Sequence, residues 1–86
     1  MRLDQFLKAS RIIKRRTVAK AVCDDDRVTV NNIPAKAGKD VHEGDVIRLN
    51  LRSKILTFRV LAVPTRNVSA SEGSSLYEII SEENVN

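Results

Sequence analysis

Leu3, Phe6, Leu7 and Ser10 fall at i, i+3, i+4 and i+7. This narrow apolar stripe predicts a short helix over residues 3–10. Asp4 in the first turn suits the positive end of the helix dipole. Ile12 and Ile13 then form an apolar plug between two basic stretches. A second helix is expected from Arg15 or Arg16 to Asp25, with Val18, Ala19, Val22 and Cys23 as its buried stripe. Helices this short do not hold in water alone and must pack on another element.

Beyond residue 26 the period changes from 3.6 to 2. Arg27-Val28-Thr29-Val30-Asn31 alternates and is β-branched, which predicts a strand. Asn31-Asn32 signals a turn, because Asn tolerates the left-handed region. Residues 33–37 return as a short strand in which Pro34 marks an edge or an irregularity. Gly44-Asp45 is a tight turn feeding a strand over 46–51, and the longest apolar strand follows over 55–63, ended by Pro64. Residues 65–75 read as a polar loop containing Asn67, Ser69, Ser71 and Gly73. Residues 76–80 read as a last strand, and residues 82–86 as a frayed acidic tail. The expected class is α+β, with two short helices packed on a small, mostly antiparallel sheet of about five strands.

Eighty-six residues make one domain, and 42% hydrophobic with 30% charged residues fits a folded chain rather than a disordered one. No apolar run approaches the roughly 20 residues of a membrane helix, and Met1-Arg2-Leu3-Asp4 does not read as a signal peptide. The formal net charge of +4 is unevenly spread. Residues 1–20 carry seven bases against Asp4 alone, a net +6, whereas residues 71–86 carry four glutamates and no base. A positive field concentrated at one end of a small protein points to a polyanionic partner.

Features that resemble catalytic or metal chemistry are weak. Cys23 is the only cysteine and His42 the only histidine, which excludes an internal disulfide and a cysteine zinc cage, and leaves no basis for a Ser-His-Asp triad. Cysteine usage suits a reduced, cytoplasmic setting. Asp24-Asp25-Asp26 lacks the spread oxygen ligands, glycine and distal glutamate of a calcium loop, and reads as the end of the second helix. Cys23 falls on an apolar stripe with no base beside it. Only three glycines are present, and they make no phosphate-cradling loop. The chain is therefore read as no enzyme, with no cofactor and no metal.

The bases themselves carry the candidate site. Arg16 and Lys20 are four apart on one helix, Lys8 and Arg11 three apart on the other, and Lys14 and Arg15 lie in the joint. Arg2 precedes the first helix, and Lys36 and Lys39 extend the patch from the strand and loop after the Asn-Asn turn. If the apolar stripes face the sheet, the bent pair presents a cationic face suited to phosphates. Phe6 and Phe58 are expected in the core, leaving Tyr77 as the one spare aromatic. That favours shape and backbone recognition of double-helical RNA over stacking on single-stranded bases.

Arg2-Leu3-Asp4-x-x-Leu7, Ser10-Arg11, Arg16-Thr17-x-Ala19-Lys20, Arg27-Val28-x-Val30-Asn31 and Val41-x-x-Gly44-Asp45 occur in that order over residues 2–47. Together they resemble the S4-like RNA-binding domain, a bent helix pair on a small sheet. On that resemblance residues 1–52 form the S4-like domain, residues 53–81 add strands to the same single domain, and 82–86 trail. Met1 to Asp4 with Ile13-Lys14-Arg15-Arg16-Thr17 is similar to the stand-alone RqcP-like (YabO-type) members of ribosome-associated quality control, and the chain is also similar to the ribosome-associated heat-shock proteins of the same domain family.

The resemblance implies binding to obstructed large ribosomal subunits, with contacts to rRNA and peptidyl-tRNA and support of alanine tailing by an RqcH-type factor. The heat-shock relatives imply an alternative, rescue of large subunits that bear peptidyl-tRNA. The family's RNA-contacting arginines correspond to Arg2 and Arg16, and Lys8, Arg11, Lys14, Arg15 and Lys20 match basic positions of the same face. A cytoplasmic monomer without membrane contact is expected. Two positions depart from the family pattern: Asp26 replaces a usual glycine, and Asn32 replaces the glycine of Asn-Gly. Both residue types tolerate positive φ. Two readings of other classes are a DNA-binding helix-turn-helix, disfavoured by the small residues of the second helix, and a protein-interaction module that uses an exposed final strand.

Overall fold

The computed structural model describes residues 1–65 and 72–85. Helix α1 spans Leu3–Ala9 and α2 spans Arg16–Asp24. The strands are β1 Val28–Val30, β2 Ile33–Pro34, β3 Val46–Asn50, β4 Lys54–Val60 and β5 Tyr77–Asn84, with a 3-10 turn at Gly73–Leu76 before β5. They form one antiparallel sheet in the order β2-β1-β3-β4-β5. The loop predicted over 65–75 lies partly outside the described residues, Asn67, Ser69 and Ser71 among them.

Register puts the apolar residues of each strand on one face. Val28 pairs with Leu49 and Val30 with Ile47; Leu49 pairs in turn with Leu56, and Ile47 with Phe58. All six are buried, as are Leu3, Phe6 and Leu7 of α1 and Ala19, Val22 and Cys23 of α2. Phe6 stacks on Phe58 at 6.4 Å, and Tyr77 meets Phe58 edge-on at 5.5 Å. The aromatics therefore tie α1 to β4 and β5 and leave none free for base stacking.

The turns follow the sequence signals. Asp26, Asn31 and Asn32 adopt φ of 59°, 53° and 69°, so the two positions where the resemblance leads one to expect glycine, 26 and 32, occupy the left-handed region. The Asn31 side chain bonds Asp45 and the Val46 N–H, joining the β1–β2 turn to the Gly44-Asp45 turn.

Four expectations are corrected. Val18 is 46% exposed, because a nine-residue helix buries only the stripe Ala19, Val22 and Cys23. The strand predicted over 33–37 stops at Pro34; the Ala35 N–H makes a last bond to the Val28 carbonyl, and the chain then turns, with the Lys39 N–H donating to the Lys36 carbonyl. The strand predicted over 55–63 stops at Val60, because the Leu61 and Ala62 N–H groups both turn to the Leu76 carbonyl of the 3-10 turn. The segment read as a frayed tail is largely strand: β5 runs to Asn84, with Glu82 opposite Leu56 and Glu83 opposite Ile55.

Candidate nucleic-acid interface

The start of α1 is fixed by a loop distant in sequence. The Leu3 N–H donates to the Lys39 carbonyl at 2.8 Å, and the Asp4 N–H donates to the Ala37 carbonyl at 3.2 Å. The Val41 N–H donates to the Met1 carbonyl at 2.8 Å, and the Arg2 and Asp40 backbones form an isolated antiparallel β-bridge. These bonds satisfy donors that a helix N-terminus leaves open. They also bring the Lys39 backbone beside Arg2.

Asp4 organises this corner. Its side chain is 1% exposed. One oxygen accepts the Gln5 N–H at 2.9 Å and Arg2 Nε at 3.1 Å. The other takes Arg2 Nη2 at 3.4 Å and lies 3.8 Å from Arg16 Nε. Both arginines remain about half exposed, at 44% and 53%. Among the described residues, no protein acceptor bonds the two Nη groups of Arg16. Two guanidinium groups thus converge on one carboxylate with donors left over, a geometry suited to a phosphodiester.

Lys20 lies one turn beyond Arg16 and donates to Asp24 at 3.1 Å. Lys36 reaches the end of the same helix, bonding the Asp24 carbonyl and pairing with Asp26. The Lys20 hydrogen bond holds the Asp24 carboxyl below its ordinary value of 3.8. Asp26 raises the Lys36 ammonium above its ordinary 10.5. These two lysines carry less free charge than the sequence suggests.

Lys8, Lys14 and Arg15 are exposed, and no carboxylate among the described residues lies within ion-pair distance of them. Arg15 is the N-cap of α2, directly before Arg16. Arg11 does not share a helix with Lys8. It lies beyond the helix end with φ 64°, and its Cγ would be 2.9 Å from a side chain placed on Gly73. The contacts therefore join Arg2, Arg16, Lys20, Lys36 and the Lys39 backbone around the α1 start and α2. They tie Arg11 to the 3-10 turn instead.

Two acidic features do more than their place on the helices predicts. Asp4 sits in the first turn of α1, as the helix dipole favours, and is also the buried partner of two arginines. The aspartates at 24–26 read as a helix end, but they also neutralise lysines of the patch. Arg16 lies twelve positions after Asp4 and carries no local signal of the pairing; only the folded helix pair brings the three together.

The S4 domain model matches residues 1–47. The RQC P-site tRNA stabilizing factor of Halalkalibacterium halodurans is 49% identical over 96% of this chain and 93% of its own length. The chain belongs to this family of S4-domain proteins. The Bacillus subtilis member is 42% identical over 96% of the chain and 95% of its own length. Among solved structures, the trimeric Vibrio cholerae heat shock protein 15 superposes with a TM-score of 0.84 at 28% identity, covering 94% of this chain and 82% of that one.

Every described residue of the S4 match lies in α1, α2, β1, β2, the start of β3 or the loops joining them, so the basic corner is built wholly within the S4 segment. The other chemistry of the chain does not compete with it. Burial, with Asp4 and Asp24 nearby, pushes the Cys23 thiol up to about 12, which leaves it protonated and inert. His42 is exposed, with Nδ1 3.9 Å from Asp45. Among the described residues no helix is long and apolar enough to cross a membrane.

Proposed function

We propose that this protein is a non-catalytic, cytoplasmic RNA-binding factor of bacterial ribosome-associated quality control. It docks its basic helix pair on large ribosomal subunits that carry peptidyl-tRNA. It contacts rRNA and tRNA backbone, stabilises the tRNA, and so supports alanine tailing by an RqcH-type factor. The observation that carries this reading is the pair Arg2 and Arg16, half exposed on one buried carboxylate in a family named for tRNA stabilisation. Lys8, Lys14, Arg15 and Lys39 add long-range attraction, and Arg11, Lys20 and Lys36 border the patch.

The heat-shock role of the related S4-domain proteins is the weaker alternative. The Haemophilus influenzae heat shock protein 15 homolog is 32% identical, and the match covers 60% of its length, against 49% identity and 93% for the Halalkalibacterium protein.

The test is co-sedimentation with purified bacterial large subunits bearing peptidyl-tRNA. Wild type is expected to pellet at one copy per subunit, and Arg16→Ala to stay in the supernatant with its melting temperature nearly unchanged. Arg16→Ala that pellets like wild type refutes the proposed face. A stoichiometry of three refutes single-copy action.

A further inference from the structure

We infer that Asp4 is a positioning residue for RNA binding: a buried anion that aims Arg2 and Arg16 at one phosphate. This deepens the reading above and rests on it. A carboxylate within a phosphate-binding face is an electrostatic liability, since it repels the ligand and cancels one of the bases around it. Its placement shows what offsets that liability.

Asp4 is 1% exposed, so phosphate does not reach it. Its oxygens hydrogen-bond Arg2 through Nε at 3.1 Å and Nη2 at 3.4 Å, and pair with Arg16 at Nε, 3.8 Å away. Nε lies nearest the chain, so holding it fixes the plane of the guanidinium. Both Nη groups of Arg16 and Nη1 of Arg2, at the far end, are then left to point outward. An arginine in open solvent holds rotamer entropy that a bound phosphate must overcome. Two arginines ordered on one carboxylate have lost part of it before RNA arrives, which is the advantage of preorganisation. Lysine has no second nitrogen to use this way: Nζ spent on a carboxylate, as in Lys20 with Asp24, is the same atom that would meet phosphate.

The two accounts of Asp4 predict opposite signs. If charge alone matters, Asp4→Asn adds one net positive charge and tightens RNA binding. If Asp4 positions the arginines, the same change weakens it. Asn keeps an oxygen for the Gln5 N–H, so the first turn retains its bond, but its amide NH2 faces Arg2 Nη2 or Arg16 Nε, donor against donor.

The experiment measures affinity for purified large subunits by co-sedimentation, with melting temperature in parallel. Asp4→Asn is expected to weaken binding about threefold or more, the size of a coupling between charged groups in contact. In an Arg2→Ala/Arg16→Ala background the same change is expected to do nothing further or to strengthen binding slightly. A general structural defect would lower affinity in both backgrounds. Arg16→Lys keeps the charge but removes the Nε contact, so it is expected to bind more weakly than wild type; this variant decides the matter if Asp4→Asn does not fold. Tighter binding by Asp4→Asn, or wild-type binding by Arg16→Lys, overturns the inference. The parent reading fails separately, if Arg16→Ala binds like wild type.

Discussion

At the start of α2, Arg16 shares the buried Asp4 carboxylate with Arg2; toward its end, Lys20 and Lys36 meet Asp24, Asp25 and Asp26 in open solvent. The first corner holds two arginines on one acid, a net positive charge with donors to spare. The second holds two lysines among three acids, a net negative one. Residues 1–20 sum to +6 in the sequence, with Lys20 counted in full. Folding places the Asp24 carboxylate on Lys20, and brings Lys36 from β2's far side back to the same helix end. A charge tally along the chain therefore overstates the field near Lys20 and understates the order near Arg16. What a base offers to RNA depends on which of its nitrogens its carboxylate occupies.

A matched pair of truncations gives the largest expected contrast. Arg16→Ala removes charge-assisted hydrogen bonds worth about 1.5–3 kcal/mol, so large-subunit affinity is expected to fall roughly tenfold or more. Lys20→Ala removes a cation already bonded to an exposed carboxylate, and the expected loss is about twofold. Co-sedimentation titrations of both proteins measure the ratio. Equal losses would erase the distinction between the corners.

Arg11 is a cation placed by packing against Gly73. A Cβ on Gly73 would lie 2.9 Å from Arg11 Cγ and 3.0 Å from the Ser10 carbonyl carbon and oxygen. Gly73→Ala is thus expected to destabilise the fold by about 1–3 kcal/mol, the cost of overpacking, read as a lower melting temperature. If RNA affinity at a temperature where the variant is folded stays within about twofold, Arg11 belongs to the scaffold and not to the phosphate site. A large loss of affinity would move it into the site.

Smaller still is the effect of relieving the second corner. Asp24→Asn/Asp26→Asn frees Lys20 and Lys36 and adds two positive charges. Affinity is expected to rise about two- to threefold at low salt, and the dependence on salt to steepen by about one counterion. Asp4→Asn in the same assay is expected to move the other way. Two acid-to-amide changes of opposite sign on one face would establish that position, not charge, separates these aspartates.

Much of this fold was legible because local chemistry and tertiary demand agree. The β-branched alternation at Val28 and Val30 is the β1 core face, and Asp26, Asn31 and Asn32 take the positive φ their side chains allow. Legibility ends where contact decides. Arg11 and Arg52 also adopt positive φ, at 64° and 71°, though arginine has no such preference. Arg52 does so at a turn where its N–H meets the Asn50 side chain. In β5 the register slips where Thr57 faces Ser81 and Phe58 faces Ile79, so Ile80 is the extra residue. That bulge breaks the two-residue period, and an exposed edge strand of Glu82 and Glu83 has no apolar alternation to announce it. The sequence resemblance singles out Arg2 and Arg16 as expected RNA contacts, but the carboxylate that joins them through space was not recoverable from spacing.

The folded Asp24 carboxyl sits below its ordinary 3.8 because Lys20 bonds it. A depressed acid stabilises the fold above its unfolded pKa, and this contribution disappears as pH falls through the folded one. The folded Lys36 ammonium sits above its ordinary 10.5 because Asp26 bonds it. A raised base stabilises the fold below its unfolded pKa, and the contribution is lost as pH rises through the folded one. Between those limits both pairs are intact and neither titrates. The melting-temperature difference between wild type and Asp24→Asn is therefore expected to stay level from about pH 5 to 9 and to shrink only under stronger acid. Both pairs are solvent-exposed, so the difference itself is small. A slope across neutral pH would mean that this corner is coupled to another titrating group and is not the solvated, self-contained counterpart of the Asp4 site.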